Sequence, residues 1–169
     1  MGDDAAAFAF FPCIRFSQDG LMRLRGDAFD QRSKSEEEKL LYSLSMHEQL
    51  ALFYGLITKM AIVCLRKSIP LVIENPYSSL HYLTRYWPIK SKVVDLNRRK
   101  NGDYYEKPTQ FWFIGCEPLD NFIFDEAIAC YPKKTIQEER GADRSLMSPD
   151  YARRFIRQHL KIYDESDAE

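Results

Sequence analysis

At 169 residues, 45% of them hydrophobic and 29% charged, the chain has the make-up of one well-cored globular domain and is too short for two of ordinary size. A net charge of -1 and a pI near 6.3 exclude a global positive field, so any attraction to nucleic acid or an anionic surface has to be local. The cysteines Cys13, Cys64, Cys116 and Cys130 show no CxxC pairing and no histidine at ligand spacing, which argues against a zinc site and a disulfide scaffold. Reduced thiols, no run of about 18 apolar residues and no basic flank on MGDDAAAF together predict a cytoplasmic protein without a membrane partner.

In chain order, AAAFAFFPC is apolar and stopped by Pro12, which predicts a short buried strand ending near Phe11 with Cys13 just beyond it. The polar stretch from Ser17 to Ser35, with glycine at 20 and 26, predicts a mobile connector or lid. Ser35 and Glu38 form a capping box and Glu36, Glu37 and Glu38 suit a helix N-terminus. Apolar residues at three- and four-residue steps carry that helix to about Arg66, with a break expected near Gly55. LVIE then reads as a central parallel strand ending in a carboxylate, Glu74, ahead of the turn-former Asn75-Pro76.

SSLHYLTRYW predicts a short helix, and KVVDL and QFWFIG predict strands separated by the polar insert NRRKNGDYYEKPT. Ser148 and Pro149 open a last helix through SPDYARRFIRQHLKIY, followed by a frayed tail. The alternation predicts one α/β domain over residues 1–163 with a disordered tail over 164–169.

Ligands of an open α/β sheet gather at the carboxyl ends of strands, where Cys13 and Glu74 both fall. If the two strands are neighbours, a thiolate nucleophile and a carboxylic acid could face one cleft and serve covalent attack on a pyrimidine ring. The alternative is a core cysteine and a Glu-Asn-Pro exit that only hydrogen-bonds the neighbouring loop. Arg98, Arg99 and Lys100, followed by Tyr104 and Tyr105, suit phosphate contacts and base stacking, or else a solvated turn with buried tyrosines. Arg153, Arg154 and Arg157 either extend that basic patch or form a wet helix face, and His47, His81 and His159 share no metal-ligand geometry.

The set FFPCIRFS, a long helix, LVIENP, YYEKPTQFWFIG and RSLMSPDYARRFI resembles, in order and spacing, phage-borne proteins of the DNA cytosine 5-methyltransferase type. The resemblance implies a partial Rossmann-like methyltransferase sheet flanked by helices, with Cys13 as the nucleophile that adds to cytosine and Glu74 as the acid at a ring nitrogen. It also implies that Lys107 and Thr109 lie near the site and that the RSxxSPDYA helix packs back on the catalytic domain. Such enzymes hold S-adenosylmethionine on a glycine-rich strand-to-helix turn upstream of the nucleophile. Only twelve residues precede Cys13 and no GxGxxG pattern occurs, so no cofactor is expected unless a partner completes the site.

Two functions follow as expectations. The first is a non-catalytic, phage or mobile-element protein that binds nucleic acid or a nucleic-acid-processing defence enzyme as an anti-restriction or anti-CRISPR inhibitor. Arg15, Arg98, Arg99, Lys100, Tyr104, Tyr105 and Lys107 would make its contacts, and Glu36 to Glu38 would mimic phosphate charge. The second is the catalytic subunit of a DNA cytosine 5-methyltransferase whose S-adenosylmethionine site comes from a partner chain. There Arg15 could favour the Cys13 thiolate.

Overall fold

The computed structural model describes residues 6–121, 128, 130–132 and 146–160, apart from the side chains of residues 18 and 19. The chain divides into two compact units, Met1–Val93 with Gln110–Cys116, and Val94–Thr109 with Glu117–Glu169. The tail expected over 164–169 lies outside the described residues.

The described strands are β1 (Ala7–Phe10), β2 (Leu71–Pro76), β3 (Val93–Asp95) and β4 (Thr109–Ile114), in one mixed sheet of order β1-β2-β4-β3. β1 and β2 are parallel, with Ala7 opposite Leu71 and Phe10 opposite Glu74. Parallel neighbours need a long crossover. Here it holds the helices α1 (Gln18–Leu24) and α2 (Glu36–Arg66). β4 is buried at all six positions, as expected for an interior strand with apolar residues on both faces. The α/β class expected from the alternation of elements is present.

The capping box of α2 is formed: the Ser35 hydroxyl accepts from the Glu38 amide and the Glu38 carboxylate accepts from the Ser35 amide at 2.9 Å. The helix then runs unbroken for 31 residues. The break expected near Gly55 does not occur, because one glycine costs only about 1 kcal/mol in a helix interior and the buried face on either side outweighs it. Leu50, Ile57, Ala61 and Cys64 of α2 meet Leu71, Ile73, Trp112 and Ile114 of the sheet in one core with Phe16, Leu83 and Trp87. Both buried indoles are satisfied, Trp87 Nε1 donating to Thr58 and Trp112 Nε1 to the Ile89 carbonyl, each at 3.1 Å. By length and composition α2 is also apolar enough to cross a membrane, a property not anticipated from scanning for a continuous apolar run.

The stretch from Ser17 to Ser35 is built rather than a bare connector. Ser17 caps α1 by accepting from the Gly20 amide at 3.3 Å, and a 3-10 turn follows at Phe29–Gln31. Gly20 is buried where a Cβ would stand 2.3 Å from the Ile14 carbonyl oxygen, so only glycine lets α1 rest on the Cys13–Arg15 turn. In the same unit, α3 (Tyr82–Tyr86) follows β2.

In the second unit, a 3-10 turn at Arg98–Asn101 ends on Gly102 at φ 91°. The helix α4 (Pro149–His159) starts as predicted, with Pro149 in its first turn and the Ser148 hydroxyl accepting from the Tyr151 amide at 3.0 Å.

Candidate functional site

The parallel register brings the ends of β1 and β2 to one edge of the sheet. Cys13 stands three residues beyond Phe10, half-buried in the turn that follows β1, and Glu74, directly opposite Phe10, is half-buried. The condition set by the sequence, that the two strands be neighbours, is met. Alternation along β2 turns Glu74 to the sheet face opposite that of Ile73, whose side chain joins the α2 core.

Asn75 ties the two strand ends together. Its Nδ2 donates to the Phe11 carbonyl at 3.2 Å and to the Glu74 carbonyl at 2.9 Å, anchoring the chain two residues before Cys13. With the amide nitrogen committed to two carbonyls, Oδ1 is the acceptor that faces His81 Nε2 at 3.0 Å. His81 therefore carries its proton on Nε2. It is fully buried against Phe16 and Trp112, and Nδ1 has no hydrogen-bond partner among the described residues. A second proton would have nowhere to go, and burial pushes the His81 pKa down to about 4. Phe16 also accepts from the Tyr82 amide through its carbonyl at 2.8 Å, and Gln110 donates to the Pro76 carbonyl at 2.9 Å. The Cys13 turn and the Glu74 exit are thus held by one buried polar relay. Asn75 and His81 were not singled out from the sequence as site residues; the Asn-Pro pair after a strand was the available signal.

Arg15 donates through Nε to Gln49 of α2 at 2.8 Å, which joins the Cys13 turn to the long helix.

The basic loop divides sharply. Arg98 is 1% exposed, in an ion pair with the buried Asp103, donating to the Leu146 carbonyl at 3.2 Å and lying 5.0 Å from the Tyr151 ring centroid. Tyr105 is 1% exposed. Neither reaches a phosphate or a base from solvent, a correction to the sequence reading: a guanidinium pays its desolvation only when ion-paired, and Asp103 supplies that partner. Arg99 is half-buried and donates to the Tyr131 carbonyl at 3.0 Å, and the half-buried Tyr104 meets the Tyr131 ring edge-on at 4.6 Å. Lys100 is exposed and Lys107 half-buried.

Asp103 also accepts from the Ser148 amide at 2.8 Å, and the Ser148 hydroxyl donates to the Gly102 carbonyl. The insert and the SPDY segment therefore form one buried polar cluster, with the role of Asp103 missed at the level of sequence because burial decides it. Burial holds the Tyr151 hydroxyl above its usual range, and a hydrogen bond to Asp150 pushes Tyr131 up to about 12. On α4, Arg153 pairs with Asp150 at 3.2 Å on an exposed face.

His47 and His159 each make a 2.9 Å bond from Nδ1 to a backbone carbonyl, of Ser43 and Leu119. Among the described residues no group of three or more His, Cys, Asp or Glu is placed to hold a metal ion. S-adenosylmethionine also needs a closely approaching backbone. Phe11-Pro12 follow β1 and Tyr77-Ser78 follow β2, so the two strand ends that carry Cys13 and Glu74 have no glycine turn of the kind that group needs. No family model, curated protein or solved structure matches the chain.

Proposed function

We propose that the chain is a methyltransferase-derived, Rossmann-like protein that binds nucleic acid by engaging an unstacked pyrimidine between the Cys13 turn and Glu74, without methyl transfer of its own. The observation that carries this reading is the in-register parallel pairing of β1 with β2, locked by Asn75 across to Phe11. An extruded base is read on its Watson–Crick edge by a fixed hydrogen-bonding group, and Glu74, as the protonated acid, donates its O–H to the acceptor N3 of cytosine. In a phage or mobile element such binding would act in counter-defence, by occupying DNA that a restriction or CRISPR nuclease needs.

Fluorescence anisotropy with single-stranded oligonucleotides tests it. Replacing a single cytosine by thymine, whose N3–H donates where cytosine N3 accepts, weakens binding about tenfold in the native protein and not in Glu74→Ala, since one base-edge contact is worth about 1–3 kcal/mol. Equal affinity for both oligonucleotides overturns the reading.

The same pair of residues favours a second reading, a DNA cytosine 5-methyltransferase subunit completed by a partner chain. There the Cys13 thiolate forms a bond to C6 of cytosine while the Glu74 carboxylic acid gives its proton to N3. On reversal the Sγ–C6 bond breaks and the proton returns to Glu74. The adduct can take up a solvent proton at C5 and lose the original one, so C5 hydrogen exchange into heavy water detects it without a methyl donor. Exchange abolished in Cys13→Ala, or saturable calorimetric binding of S-adenosylmethionine near micromolar, selects the enzyme over the binder.

A further inference from the structure

The helix α2 buries one side in the core and leaves the other uncovered. Leu41, Leu44, Leu52, Leu56, Ile62 and Val63 are 42–68% exposed, an unusual display of large apolar side chains on one helix. At 100° per residue they fall within about a third of the helix circumference, opposite Leu50, Ile57 and Ala61. Two exposed charges, Glu48 and Lys59, interrupt this stripe, and neither has an ion-pair partner among the described residues. Gly55 lies between them, and a Cβ there would meet nothing within 4 Å.

This pattern is complementary to itself in one orientation. When a second α2 lies antiparallel across the first, about a two-fold axis near Phe53 and Tyr54, Glu48 faces the other copy's Lys59 and Lys59 faces its Glu48. The same operation sets Leu44 against Val63, Leu56 against Ala51 and Leu52 against Gly55, where the missing side chain lets the helices approach closely. A parallel pair would instead oppose Glu48 to Glu48 and Lys59 to Lys59. Like charges in contact disfavour it, so charge selects both the partner and the direction.

We propose that the exposed stripe of α2 is a homodimer interface, occupied by a second copy of this chain in antiparallel register. The inference is independent of the nucleic-acid reading, because it uses none of the strand-end residues.

Sedimentation equilibrium of the full chain tests it, reading mass against the 19.9 kDa monomer. The native protein sediments at twice that mass. Glu48→Lys and Lys59→Glu each raise the dimer dissociation constant roughly tenfold to a hundredfold, because symmetry makes each substitution turn two attractive pairs into two repulsive ones. The double variant Glu48→Lys with Lys59→Glu restores the native constant. Both substituted positions are exposed, and circular dichroism checks that the helix content of all three variants is unchanged. A native monomer at 100 μM and above, charge reversals without effect, or a single variant as tight as the native protein overturns the proposal. So does native protein that floats with neutral phosphatidylcholine vesicles, since α2 would then be occupied by lipid.

Discussion

Acidification from pH 7.5 to 5 is expected to strip about 2 kcal/mol of stability through His81 alone. In the unfolded chain His81 titrates at the ordinary 6.5, while in the fold burial holds it near 4. The unfolded state therefore binds the extra proton first, and stability rises with pH. The contribution is fully present above pH 6.5 and is lost as pH falls through the window down to about 4, where it totals roughly 3 kcal/mol. The structural cause is specific: Asn75 Oδ1 accepts a hydrogen bond from Nε2–H, and among the described residues none offers the buried Nδ1 an acceptor for a second proton.

Urea unfolding of the native protein and of His81→Gln at several pH values between 7.5 and 5 isolates this term. The glutamine amide can still donate to Asn75 but does not titrate. The stability difference between the two proteins should shrink or grow against the native protein by about 2 kcal/mol across that range, with the native chain losing more on acidification. Parallel pH profiles, or an NMR titration placing His81 near 6.5, would refute the reasoning.

Further outcomes follow from particular contacts. Gly20→Ala gains about 1 kcal/mol of helix propensity, but its methyl meets the Ile14 carbonyl at 2.3 Å, so net destabilisation of roughly 1–3 kcal/mol is expected in urea unfolding. Gly55→Ala, with open space around it, should instead stabilise by up to about 1 kcal/mol when measured in dilute protein. Asp103→Ala leaves the buried Arg98 guanidinium without its ion pair and should cost about 3–5 kcal/mol, read by the same denaturation midpoint. Ser35→Ala removes the capping box and should cost about 1 kcal/mol, with reduced hydrogen-exchange protection in the first turn of α2.

Local chemistry was legible wherever a short stretch decides its own conformation. Ser35 with Glu38 marked the start of α2, Ser148 with Pro149 marked that of α4, and the apolar runs LVI and FWFI marked two strands, since capping and hydrophobic periodicity act over a few residues. The candidate pair Cys13 and Glu74 was legible for the same reason: each follows an apolar run at a turn signal. Local reading failed where distant groups compete. Gly20 looked like a loop residue until the Ile14 carbonyl stood against it, and Gly55 looked like a helix break until the buried residues before and after it, Leu50 and Ile57, kept α2 continuous.

The sequence by itself determined the four described strands, the helices α2, α3 and α4, the capped starts of α2 at Ser35 and of α4 at Ser148, and the places of Cys13 and Glu74 near strand ends, because these depend on neighbours along the chain, whereas α1 was not read from it. Only the tertiary structure decided that β1 lies beside β2, that Asn75 and His81 bind those strand ends together, and that Arg98 is buried on Asp103. Desolvation and hydrogen-bond partnership are properties of position in space: the same arginine is a phosphate ligand in water and a structural cation in a core.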